Sequence, residues 1–152
     1  MITSLHIKNF KSHEDTLLNL SNINVLTGLN GMGKSSVLQA MLLLRQSNIK
    51  GNLTMGLDLN GDLYSIGTAK DAIYMLATTD KIELSLTQEN KNDDIHFEFE
   101  VNTNKLSDTF LKHVKNTNEL INPYCSLFNN NFQYISAFRN GPVSSYEKKL
   151  IL

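Results

Sequence analysis

A single cysteine, Cys125, stands among 152 residues, which excludes an internal disulfide and any cysteine-rich zinc site and fits a reducing compartment. It lies near Pro123 in a polar stretch, with no local sign of thiol activation. Long apolar runs are also missing. The longest, residues 37–44, is interrupted by Gln39 and falls far short of the ~20 residues a membrane span needs. The N-terminus does not run from basic to apolar to small-residue cleavage site, so a soluble cytoplasmic protein is expected. Charge of one sign is lacking too, since the formal net charge is -1, and this gives no overall electrostatic argument for nucleic acid. His6, His13, His96 and His113 have no helical i, i+4 pairing and no Cys or acid companions at ligand spacing. A metal-hydrolase site is therefore not expected.

What is present is a core-forming composition. Hydrophobic residues make up 41% of the chain, enough for one full-sized core and hence one domain or lobe, residues 1–152. Residues 1–50 hold five Lys/Arg against two acids, and the remainder nine against thirteen. The small positive excess thus sits in the part that a phosphate site would favour.

Residues 2–7 and 16–20 read as strands, separated by Asn9-Phe10-Lys11-Ser12-His13. Residues 22–27 alternate and then become continuously apolar, as a strand entering a buried sheet would. Residues 34–46 contain no Gly or Pro and carry a broad apolar face, so a helix buried on more than one side is expected. Beyond Gly51 the pattern becomes antiparallel β. Residues 53–59 and 63–66 flank an Asn60-Gly61 turn suited to type I′ geometry, and residues 81–87 and 95–101 alternate strictly around a polar run. Short helices are expected over 71–76 and 106–114, the latter capped by Asn104 or Ser107-Asp108. Residues 116–131 read as loop or disorder, residues 132–138 as a returning strand, and residues 146–152 begin a new pattern.

The chemistry-bearing motif is Gly28-Leu29-Asn30-Gly31-Met32-Gly33-Lys34-Ser35. Glycines at these points let the backbone turn its N–H groups inward around phosphate oxygens, at conformations a Cβ would obstruct. Lys34 supplies a point charge for the β- and γ-phosphates of a nucleoside triphosphate, and the Ser35 hydroxyl is a Mg²⁺ ligand. The helix starting at about Lys34 adds unpaired N–H groups and the positive end of its dipole. A strand before and an apolar helix after the loop favour this reading over a bare glycine turn.

The opening Ile2-Thr3-Ser4-Leu5-His6-Ile7-Lys8-Asn9-Phe10-Lys11-Ser12-His13 and the later Asn24-Val25-Leu26-Thr27-Gly28-Leu29-Asn30-Gly31-Met32-Gly33-Lys34-Ser35-Ser36 together resemble the N-terminal lobe of an ABC-type ATPase head of the RecF/SMC/OLD group. The spacing between the two motifs also matches that group. The resemblance implies an α/β fold, a P-loop NTPase lobe with a mixed sheet plus an antiparallel β-subdomain. Its parts would be a P-loop core over 1–50, β hairpins over 51–101, and a helix, loop and returning strand over 102–152. It also implies that Asn30, Gly31, Met32, Gly33, Lys34, Ser35 and Ser36 bind ATP, with Mg²⁺ on Ser35. Lys11 and Ser12, with Asn9 and Phe10, would lie beside the nucleotide. For Lys11 a solvated surface role stands as the alternative, and for Phe10 a core anchor. The stretch from Tyr134 to Pro142 resembles one found in OLD-like ATPases, where Arg139 would face the γ-phosphate side or a dimer partner; closing a strand end is the other reading.

By the same resemblance the full-length protein is an ATPase whose ATP-bound heads form a homodimer, serving DNA repair, DNA maintenance or phage defence. No signature motif, no apolar strand ending in Asp-Glu and no switch histidine follows Lys34, and Gln39 lies inside the loop's own helix. The expectation is an N-terminal part of a longer ATPase, with no catalytic residue in this chain and little hydrolysis by it alone. Two alternatives stay open: a DNA-binding or regulatory module that holds nucleotide without turnover, and a transport-type ABC ATPase. DNA is a partner the charge does not support, and no membrane partner is expected.

Overall fold

The computed structural model describes residues 1–89, 94–114 and 125–135. These residues form one six-stranded sheet with a long helix against it. Strand β1 (Ile2–Phe10) turns at Lys11 and Ser12 into β2 (His13–Asn19), and helix α1 (Lys34–Ile49) follows the glycine loop. Then come β3 (Gly56–Asp58), the short α2 (Ala69–Ala72), β4 (Lys81–Gln88), β5 (Ile95–Glu100) and β6 (Phe110–His113). The strand order is β2-β1-β4-β5-β6-β3, and every neighbouring pair is antiparallel.

Alternation decides which face is buried. In β4 every second residue, Ile82, Leu84 and Leu86, is buried, and in β5 Ile95, Phe97 and Phe99. Leu5 and Ile7 of β1 join them, and Ala40, Leu43 and Leu44 of α1 pack onto the same core. Period two in the strands thus meets a broad helical face, the arrangement that buries both at once. At the end of β1 the alternation breaks at Asn9, whose φ of 53° lies in the left-handed region that Asn tolerates better than most residues. Phe10 is thereby fully buried, and the Asn9 amide donates to Thr79 Oγ1 and to the Lys81 carbonyl. Phe10 is a core anchor.

The far end of α1 is joined to the sheet by polar contacts. Ser47 Oγ donates to Leu43 O and accepts from the Asp58 amide, 2.8 Å each. Gln46 donates to Asp58 O and accepts from the Tyr64 amide. Arg45 donates to the carbonyls of Leu127 and Asn129 and lies over the Phe132 ring, so residues 125–132 are fastened to the helix. Burial lowers the Arg45 pKa from its ordinary value.

Several expectations change. The sheet is antiparallel among the described residues, not mixed, because residues 22–27 form no strand there. The Asn24 side chain instead closes a turn, accepting from the Ser21 amide and donating to Ser21 O, a local alternative that competes with strand pairing. Ile23 and Val25 are left 83% and 77% exposed, so the element expected to be buried is the most open apolar stretch before the loop. The hairpin expected over 53–66 is not a strand pair: β3 pairs with β6, Leu57 opposite Leu111, and only an isolated Asn60–Ser65 bridge closes the Asn60-Gly61 turn. The helix expected over 106–114 is replaced by β6, since Leu111 is buried against β3. Helix α2 lies at Ala69–Ala72, earlier than the 71–76 expected, because the Asp71 carboxylate accepts from the Thr68 amide and hydroxyl and fixes its start there.

The β4–β5 hairpin and α1 are as expected. Cys125 lies in a bend outside helix and strand, and its side chain is buried in the core cluster with Leu127 and Phe128. Residues 132–135 are not in a strand; the rest of the expected returning strand, Arg139 and residues 146–152 lie outside the described residues. Among the described residues no helix is long and apolar enough to cross a membrane.

Two measurements check this account. Phe10→Ala is expected to cost about 3–5 kcal/mol in urea unfolding, since it empties a fully buried aromatic site. Asp71 has its pKa lowered, first by the Thr68 amide hydrogen bond and then by the Thr68 hydroxyl. Its folded value therefore lies below its unfolded one, so its contribution is present above the ordinary carboxylate range and lost as pH falls through the folded value. The stability difference between wild type and Asp71→Asn should accordingly shrink on acidification through that range.

Candidate phosphate-binding site

Three glycines of the loop take positive φ: Gly28 at 137°, Gly31 at 85° and Gly33 at 84°. These values belong to a residue without a Cβ, and they bring the chain round to enter α1 at Lys34. Gly33 is the N-cap. It has no side chain to cap the first turn, and that turn contains no acid. The N–H groups at this end therefore lack the partner that a Ser, Thr or Asp cap would provide, and the dipole's positive end is left uncompensated. Such an end fits an anion.

Lys34 bends back along the loop, its Nζ donating to Gly28 O at 2.7 Å and Leu29 O at 2.6 Å. The ammonium thus stands at the loop's opening and ties its first two carbonyls together. Ser35 follows at the next helical position and is exposed, whereas Ser36 is buried. Asn30, Gly31 and Met32 form the exposed rim, with Met32 69% exposed. Among the described residues no group of three or more His, Cys, Asp or Glu could hold a metal ion. The Ser35 hydroxyl at the helix end suits a cation already carried by phosphate oxygens, which needs few protein ligands.

The β1–β2 turn packs against the loop from the other side. A Cβ at Gly33 would collide with Ser12 Oγ and come within 2.8 Å of His13 Nε2. His13, almost fully buried, has Nε2 3.1 Å from Gly33 O and Nδ1 3.0 Å from Thr16 Oγ1. Ser12 is therefore brought beside the loop. Lys11 is held differently. Its φ is 52°, its amide donates to Ala72 O at 2.7 Å, and burial lowers its pKa while Asp71 raises it. It is half-buried toward α2, not freely solvated. The residue that sequence reasoning missed is His13, and the only signal for it was its place directly after Lys11-Ser12 in the turn.

A glycine loop running from an antiparallel sheet into the uncapped end of a buried helix, with lysine as the first helical residue, defines a lobe of the P-loop ATPase type. The chain belongs to the AAA ATPase domain family, whose model matches residues 1–149. This agrees with the ABC-type RecF/SMC/OLD resemblance of the two N-terminal motifs. It is similar to the DNA double-strand break repair Rad50 ATPase of Archaeoglobus fulgidus, 31% identical over 99 residues that cover 55% of this chain and 11% of that protein. The Rad50 ATPase of Sulfolobus acidocaldarius is likewise 31% identical over 98 residues, covering 50% of this chain and 11% of that protein. The matched region is thus about a ninth of each relative's length.

Gly31 and Gly33 share nearly the same φ, but a Cβ at Gly31 meets nothing within 4 Å. Gly31→Ala should cost only the left-handed backbone penalty, about 1–2 kcal/mol. Gly33→Ala should cost a further ~1–3 kcal/mol for overpacking against Ser12 and His13. Urea unfolding of the two variants measures the difference, and equal losses would contradict the close approach of turn and loop.

Proposed function

We propose that this chain is the ATP-binding part of an ATPase of DNA-repair type. Asn30, Gly31, Met32, Gly33, Lys34, Ser35 and Ser36 cradle the phosphates, and Ser35 ligates the accompanying Mg²⁺. Lys11 and Ser12 border the site from the β1–β2 turn. The observation that carries the reading is the uncapped N-terminus of α1, with three positive-φ glycines before it and Lys34 at its first position. Family membership and the similarity to Rad50 ATPases support ATP as the nucleotide and DNA repair as the process.

Hydrolysis needs a group that orients the attacking water and further charge around the metal. The loop's surroundings offer Lys34 and two serines, and no carboxylate belongs to the loop or to the first turn of α1. In this reading the residues that turn binding into work come from another part of the protein or from a second copy, with two ATP-bound heads pairing as a homodimer. The exposed apolar side chains Ile23, Val25, Leu29 and Met32 around the loop support a surface that another protein surface covers. DNA as the final partner rests on the relatives' printed names alone, since the charge of -1 adds nothing.

Mg-ATP titration tests the reading. Lys34→Ala should weaken binding about 10- to 100-fold, the loss of charge-assisted hydrogen bonds, and Ser35→Ala should remove most of the Mg²⁺ dependence. ATP turnover by this chain alone should stay near background. Binding unaffected by Lys34→Ala would overturn the site, and robust Lys34-dependent turnover would overturn the division of labour.

A further inference from the structure

We infer that His13 is a positioning residue for the loop: its imidazole, locked between Thr16 and Gly33, sets the Gly33–Lys34 peptide so that the Lys34 N–H faces the phosphate. The inference rests on the nucleotide-binding reading above and adds to it a residue outside the glycine motif.

The hydrogen-bond chemistry fixes the tautomer. A carbonyl oxygen only accepts, so the 3.1 Å contact between His13 Nε2 and Gly33 O requires the proton on Nε2. In the neutral ring Nδ1 is then the acceptor, and Thr16 Oγ1 at 3.0 Å donates to it. With a partner at each nitrogen and an exposure of 8%, the ring can neither rotate nor exchange tautomers without losing a bond.

The other end of this relay is the peptide that opens α1. Gly33 O also accepts from the Ser36 amide at 2.9 Å and the Val37 amide at 3.3 Å. The helix supplies those donors along its axis, while His13 approaches from the sheet. The Gly33–Lys34 peptide is trans, so the carbonyl of residue 33 and the N–H of residue 34 point opposite ways across their shared plane. Every donor that draws Gly33 O toward the helix and sheet therefore turns the Lys34 N–H outward, to the open side of the loop. Without His13 the two helical amides alone would hold Gly33 O, with no restraint from the sheet on a glycine whose backbone is permissive. The hairpin is a firm support, because Lys11 N is bonded to Ala72 O and Phe10 is fully buried beside it.

The test uses Mg-ATP titration of the 152-residue chain together with ¹⁵N spectra of its imidazoles. Wild type should show His13 as the Nε2–H tautomer. His13→Phe should weaken ATP binding about tenfold, the scale of one lost hydrogen bond to the site. His13→Gln, whose amide can still donate to Gly33 O, should recover most of that loss. Thr16→Val, which removes the other partner without touching the loop, should mix the tautomers and weaken binding by a smaller factor; it decides the matter if His13→Phe does not fold. A proton on Nδ1, equal ATP affinity in wild type and His13→Phe, or a loss that His13→Gln does not recover would overturn the inference alone. Failure of wild type to bind ATP would overturn it together with the reading on which it rests.

Discussion

Gly33 stands where the sheet, the loop and the helix meet, and its missing side chain is what lets them meet. The β1–β2 turn approaches so closely that Ser12 and His13 occupy the space a Cβ would need. The same residue caps α1, so one position sets both the direction of the helix and the seat of the turn. A left-handed φ at this point costs glycine little, whereas any other residue would strain the backbone and push the hairpin away. The other two positive-φ glycines, at 28 and 31, differ in this respect, since a Cβ at either would meet nothing within 4 Å.

A helix end that presents bare N–H groups is only useful if the helix itself cannot shift. The opposite end of α1 supplies the restraint. Ser47 and Gln46 bond to β3 and to the 59–66 turn, and Arg45 gathers two carbonyls of residues 125–132. These polar groups are largely enclosed, and enclosure makes each of their bonds costly to break. The apolar face between them, Val37 to Leu44, provides the bulk of the packing but little directionality. Directional bonds at one end and close steric contact at the other thus fix a helix whose exposed terminus faces solvent.

The loop and α1 were legible because their signals are local. Glycine spacing reports backbone conformation, and a run from Lys34 without Gly or Pro reports a helix. The β4–β5 hairpin was legible for the same reason, as alternation is a property of each strand alone. Residues 56–58 are a strand, as expected, but with a different partner, and 110–113 are a strand where a helix is expected, because the two pair with each other more than fifty positions apart in sequence. Residues 22–27 were misread because their apolar pattern says strand while Ser21 and Asn24 offer a turn, and no neighbouring strand among the described residues settles the competition in favour of pairing. His13 was invisible for a different reason: a lone histidine at the start of a strand has no spacing to read, and its meaning depends on a glycine twenty residues later.

Under the proposed reading, Lys34 shows how this architecture would bear on phosphate binding. Its ammonium already has two carbonyl acceptors, at Gly28 and Leu29, so a phosphate that claims Nζ does not recruit a free, fully hydrated cation. It shares or exchanges bonds to neutral oxygens for shorter, charge-assisted ones. The side chain's conformational cost is largely met in advance, since the stem is held across the loop and less rotamer freedom remains to be lost. The local excess of positive charge over residues 1–50 adds a weak, screened attraction. The stronger contribution would be geometric: a helix end without a capping side chain or acid and a lysine already bonded across the loop lie close together. In the proposed site, affinity would depend on how well the sheet keeps those groups in place, so that buried Phe10 and His13, on either side of the hairpin turn, would matter to it as the glycines do.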